Sequence, residues 1–386
     1  MVVRFNIKCN TCETPITLRI QLGHSEYEEI KFLCPHCKEN LSVELYIDTK
    51  NISFRIVPMK NCIKSNVGGD CLYLSSEILT DNNIANVEML LPSVFYMDQI
   101  NKGEIKIYLN KQKIIKDWDL LQKAFSQKML KNFDLENKFL EEYRNINKLS
   151  KNSYFKDCLF DFCLSHTNPI IKDNIQNIFK IIGELYKTNK KREIINLRNY
   201  LRKLFRQKIS FIMETISSIY ESFDLHYPII IWILANQEDK ESLYYPFNDF
   251  SQIKLSYGDI YEKLAELIFV FAALFNISEG RTFGTFKAMD LKKYEGLDKA
   301  KKADPFKSIP EFMLFCEEYD SSLRNASHHG HIQYNKSNNS IQYYTDNIQN
   351  MKTITLKEYL IKINKIFINM LSVISIWLFI IIINDD

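Results

Sequence analysis

The chain predicts a mainly α-helical protein with a small β region at its N-terminal end. Gly (10) and Pro (9) are few for 386 residues, which favours long helices over a turn-rich all-β architecture. The apolar period is two as far as about Asn110 and helical from about Lys111 onward. Four of the nine cysteines fall in two Cys-x-x-Cys pairs near the start. These signals divide the chain into residues 1–50, a β-rich segment 51–110, a central helical region 111–237 and a C-terminal helical unit 238–386.

A hydrophobic content of 46% is ample for ordinary cores, so disorder is not the default reading. Lys plus Arg is 50 against 47 for Asp plus Glu, a net charge of +3, so any basic surface is local. The opening MVVRFNIKCNTC alternates like a strand and has no apolar signal-peptide core. A cytoplasmic location is therefore expected, where paired cysteines point to metal rather than to disulfides.

The pairs are Cys9-Asn10-Thr11-Cys12 and Cys34-Pro35-His36-Cys37. Zinc takes four soft ligands at tetrahedral angles, and a tight Cys-x-x-Cys turn supplies two thiolates. With strands expected at VVRFNIK, ITLRIQL, EEIKFL and LSVELYI, this is the pattern of a zinc ribbon holding one structural ion through Cys9, Cys12, Cys34 and Cys37. So small a unit depends on its metal for stability. His24 and His36 are possible ligands that four cysteines make unnecessary. Such a ribbon binds nucleic acid or protein or is structural; it is not expected to be catalytic.

ISFRIV, CLYL, VEMLL and EIKIYL continue the strand pattern, broken by turns at Asn66 to Asp70 and Asn101 to Gly103. Cys62 and Cys71 have no Cys-x-x-Cys partner and are expected to be free, the alternative being an extra metal ligand. From Trp118, Leu121, Ala124 and Phe125 onward the stripes are helical, and Cys158 and Cys163 fit core packing. Lys187 to Lys208 is the one markedly basic stretch. Arg198, Arg202 and Arg206 recur every four residues and form one stripe on a helix. That stripe is a candidate RNA-backbone contact, against the plainer alternative of a solvated face.

After the loop-like NQEDKESLYYPFNDFSQIKLSYGD, an apolar helix is expected over Ile260 to Ile277. A second is expected to begin at a capping box of Ser308 and Glu311 with Pro310 in its first turn. It would bury Phe312, Cys316, Tyr319 and Leu323, pair Glu317 or Asp320 with Arg324, and end near Gly330.

That end carries RNASHHG: a permanent cation, an amide and two imidazoles between Arg324 and Gly330. Histidine moves protons near neutral pH, and the arginine fork fits phosphate oxygens. RNASHH fits the Arg-Asn-x-x-x-His signature of HEPN-domain ribonucleases, with Arg324, Asn325 and His329 at its fixed positions. The following polar hairpin HIQYNKSNNSIQYYTDN, Thr353 to Thr355 and a long closing helix also resemble that family, from about Tyr257 to Asp386. The resemblance implies a HEPN-like helical bundle that dimerises into a composite site and cleaves RNA without a catalytic metal. It also implies a toxin or antiviral defence effector. His328, His331 and Tyr334 are candidate accessory contacts.

The competing reading, from a different class, is a non-catalytic adaptor or nucleic-acid-binding protein built on the ribbon and the basic helix. The stretch Ile366 to Ile383 is almost continuously apolar, with Asn369, Ser372 and Ser375 on one side. It is expected to be a bundle or dimer-interface helix, the alternative being a membrane anchor. Some restraint on the activity is expected, and residues 111–237 are a candidate for it.

Overall fold

The computed structural model describes residues 2–22, 26–48, 53–75, 80–81, 111–167, 169–234, 243–244, 250–335, 338–344 and 351–383. The expected strands VEMLL and EIKIYL, the turn Asn101 to Gly103 and His24 lie outside them.

The N-terminal strands form where period-two patterns predict them. β1 (Val2–Cys9) and β2 (Pro15–Gln21) are an antiparallel pair; β3 (Tyr27–Leu33), β4 (Asn40–Asp48) and β5 (Ser53–Lys60) make a second antiparallel sheet. β6 (Cys62–Lys64) returns to the free edge of β1, and β7 (Asp70–Leu74) adds in parallel to β2. The inward residues of both sheets, among them Ile7, Ile16, Leu18, Phe32, Leu41 and Val43, share one buried core. Gly69 is required where β7 enters, because a Cβ there would lie 1.8 Å from the Pro15 carbonyl oxygen.

The protein is mainly helical beyond this point, and its helices share a second, separate core. α1 (Lys111–Met129) and α2 (Phe133–Asn147) pack as a hairpin, followed by α3 (Phe155–Ser165), α4 (Pro169–Lys187), α5 (Lys191–Glu221) and α6 (Phe223–Leu234). Trp118 of α1 stacks on Tyr220 of α5 at 5.5 Å and leans on Phe162 of α3 at 5.3 Å. Cys158 and Cys163 are buried in this core. A two-residue strand β8 (Thr80–Asp81) pairs with β9 (Leu243–Tyr244).

The helix expected from Ile260 to Ile277 starts earlier and is broken in two. α7 (Ser256–Leu267) and α8 (Phe269–Ser278) meet at Ile268. The break frees the Leu267 carbonyl, and the buried indole Nε1 of Trp377 donates to it at 2.8 Å. After the short α9 (Leu291–Glu295), the single helix expected from Ser308 to Gly330 is also divided. α10 (Pro310–Met313) runs into a 3₁₀ turn at Leu314–Cys316 and stops; α11 (Ser321–His328) begins afresh. Ser308 caps nothing, since Ile309 stands at the N-cap of α10 without a side-chain bond.

β10 (Ile332–Asn335), β11 (Ser340–Tyr344) and β12 (Met351–Thr355) form an antiparallel sheet that leads into α12 (Leu356–Ile382). Thr355 and Glu358 close a capping box at its start. α12 is the axis of the helical unit, packed against α3, α4, α5, α6 and α7. It is long and apolar enough to cross a membrane, but 83% of that window is buried inside the protein. Its polar side is buried too: the Ser372 and Ser375 hydroxyls donate to the Ile368 and Leu371 carbonyls of their own helix.

Candidate functional site

Among the described residues, two clusters gather groups able to carry chemistry. In the first, the two Cys-x-x-Cys turns face each other at the ends of the two N-terminal sheets. Cys9 Sγ lies 3.8 Å from Cys37 Sγ, Cys12 Sγ lies 3.6 Å from Cys34 Sγ, and all four sulfurs fall within 4.8 Å of one another. A tetrahedral set of thiolates at the usual metal–sulfur length of about 2.3 Å has its sulfurs about 3.8 Å apart. The four cysteines therefore fit a single metal ion. His36 is not among them, because its Nε2 faces the Asp70 carboxylate at 3.0 Å. Cys62 is buried in the register opposite Cys9, and its thiol donates to the Ser42 carbonyl.

The second cluster is built on α11. Asp320 starts that helix, accepting hydrogen bonds from the Ser322 and Leu323 backbone N–H groups at 2.9 and 3.2 Å. The expected pairing of Asp320 with Arg324 is thus replaced by a capping role. Leu323 and Ala326 face the core. Ser327 is buried and donates to the Lys254 carbonyl, which also accepts from the Tyr359 hydroxyl of α12. The opposite face carries Arg324 and Asn325. His329 forms the C-cap, its N–H still bonded to the Asn325 carbonyl, and Gly330 turns the chain away at φ +74°. The expected helix end near Gly330 is observed.

Arg324 meets an acid that the local spacing does not reveal. Its Nε and one terminal nitrogen bind a single carboxylate oxygen of Glu262 on α7, and Lys299 binds the other oxygen. Burial alone would raise the Glu262 pKa. The hydrogen bonds from Lys299 and Arg324, and their charges, outweigh that and hold it below the usual range. The remaining guanidinium nitrogen of Arg324 donates to Asn325 Oδ1 at 2.6 Å, which orients the amide. The only hint of Glu262 in the sequence is its i,i+4 repeat with Glu266, which extends the ion chain through Lys299 and Lys208.

The histidines divide into two kinds. The His328 imidazole lies on bare backbone: a Cβ on Gly258 of α7 would come within 2.7 Å of its Nε2. Asp259 Oδ1 stands 3.8 Å from the same nitrogen. His329 and His331, exposed like His328, have ring centroids 6.4 Å apart. Tyr334 turns into the sheet, its hydroxyl donating to Asn339 Oδ1 and its ring packed on Phe250.

Of the basic stripe, Arg198 is buried, and its guanidinium donates to the Ile383 carbonyl at 2.9 Å; Arg202 donates to the Ile381 carbonyl at 3.0 Å. Both hold the C-terminal end of α12, where the helix dipole is negative. Arg206 alone of the three is exposed.

Comparison of the chain with family models, with curated proteins and with solved structures finds no match. Its chemistry is therefore derived from these two clusters.

Proposed function

We propose that the helical unit is a metal-independent endoribonuclease of the HEPN type. The observation that carries this reading is α11 itself. Eight residues and their cap place Arg324, Asn325 and an exposed His329 at one helix end, locked to the body through Ser327 and Glu262.

RNA brings its own nucleophile. An imidazole of His329 removes the proton from the 2′-hydroxyl, the oxygen attacks the adjacent phosphorus, and the bond to the 5′-oxygen breaks as an acid protonates it. Arg324 offsets the charge that builds on the phosphorane-like transition state. The products are a 2′,3′-cyclic phosphate and a 5′-hydroxyl. One chain supplies one His329, so base and acid come from two copies in a homodimer, or one imidazole serves both steps through water. The thiolate site is assigned to zinc in a structural role. A cytoplasmic toxin or antiviral defence effector is the biological setting that the HEPN resemblance supports.

The test is incubation of the full chain with total RNA in EDTA, beside His329→Ala and Arg324→Ala with circular dichroism as the folding control. Each variant is expected to lose on the order of 100-fold or more in rate. Wild-type cleavage no faster than that of the folded variants sinks the enzyme and leaves the adaptor reading. For the metal, elemental analysis is expected to give one zinc per chain, lost in Cys34→Ser.

A further inference from the structure

The α1–α2 hairpin and the start of α3 enclose an open cavity of about 510 Å³, within the size range of sites that take small organic ligands. None of its lining residues takes part in the two clusters above. Its walls include Lys128, Phe133, Glu136, Arg144, Lys151 and Tyr154. Two of these are aromatic and stand in water: Tyr154 is 72% exposed and Phe133 60%. Most rings of this helical unit are packed in its core, so two exposed rings on one cavity call for a reason.

The charges supply one. Three cations line the cavity against a single carboxylate, and that carboxylate, Glu136, is taken by Lys128 at 2.9 Å. Arg144 stays at the wall because its guanidinium donates to the Ser153 carbonyl at 2.7 Å. That bond also fixes the loop that presents Lys151 and Tyr154. Exposed rings beside cations are the pairing that single-stranded nucleic acid uses, with bases on the rings and phosphates on the cations. An apolar protein partner would bury Arg144 and Lys151 with no acid of this cavity left to match them.

We propose that this cavity is a docking site for a single-stranded RNA segment. Tyr154 and Phe133 act as stacking platforms, and Lys151 and Arg144 contact phosphates. The choice of RNA over DNA rests on the ribonuclease reading; the stacking and the charges do not.

The test is fluorescence anisotropy of a labelled single-stranded ribo-oligonucleotide with the full chain carrying His329→Ala, so that binding is read without cleavage. Tyr154→Ala and Phe133→Ala are each expected to weaken binding about 5- to 100-fold. Both side chains are exposed, so the fold is expected to persist, with circular dichroism as the check. Lys151→Glu is expected to weaken binding and lower the slope of log affinity against log salt by about one. A DNA oligonucleotide of the same sequence is expected to bind comparably. Affinity unchanged in all three variants overturns the proposal. So does intact RNA binding with loss of chain dimers in light scattering, which assigns the patch to a protein interface. If the oligonucleotide binds through Tyr154 and Phe133 while wild-type protein cleaves nothing, the docking site stands and the ribonuclease reading falls.

Discussion

Gly258 and His328 show how closely α11 sits on α7. A methyl group at position 258 would overlap the far end of the imidazole, at 2.6 Å from Cδ2, so Gly258→Ala is expected to turn the ring away. The helix gains up to about 1 kcal/mol from alanine's propensity, which offsets the displaced contact. Stability in urea is therefore expected to change by less than about 1 kcal/mol, while the cleavage proposed for this site, to which His328 would be an accessory contact, is expected to fall to the level of His328→Ala. A cleavage rate that differs between the two variants would show that the imidazole does not act from its seat on Gly258. Glu262 is the other residue on which the cluster depends. It was not legible, because it lies 62 residues from Arg324 in the chain and meets it only through helix packing. That Arg324, Asn325 and His329 lie together was legible because they are local to one helix end.

At the level of single elements, charge periodicity identified the right helix face and misjudged its surroundings. Arginines every four residues look solvated until another helix ends beside them, and α12 ends beside Arg198 and Arg202. Arg198→Ala is expected to cost about 2–3 kcal/mol, because it strips a buried charged donor from a helix C-terminus. Arg206→Ala, on the exposed part of the stripe, is expected to stay within about 0.5 kcal/mol of wild type. Urea midpoints of the two variants check the contrast. The helix divided between Cys316 and Ser321 follows the same logic: an apolar period suggested continuity, yet Asp320 found two backbone donors to cap and started a new helix. Strands and metal ligands fared better, since a Cys-x-x-Cys turn and a period of two depend on near neighbours.

The described residues form two cores, and these are expected to fail separately. Stripping the metal proposed for the four thiolates with a strong chelator should melt the N-terminal sheets and leave the helical signal near 222 nm in place. Loss of both together would show that the ribbon holds up the bundle. Acid should act on the other core. His166 and His226 are buried among the helices, and desolvation lowers both pKa values to about 4 from the 6.5 of a free imidazole. Above pH 6.5 the imidazoles are neutral folded or unfolded. Between 6.5 and 4 only the unfolded chain takes up the proton, so stability falls across that window and levels off below it. The two histidines together are expected to contribute up to about 7 kcal/mol of that loss. Equilibrium unfolding at stepped pH, beside His226→Asn, measures the share of one of them.

The position of α12 as the axis of the bundle has a consequence for synthesis on the ribosome. It is the last described element to leave the exit tunnel, yet five earlier helices close around it. The N-terminal sheets, complete by Leu74, can fold while translation continues. The helices that follow have their shared apolar seam uncovered until Leu356–Ile382 arrives. A nascent chain stalled at Thr355 should therefore carry a protease-resistant ribbon and protease-sensitive helices.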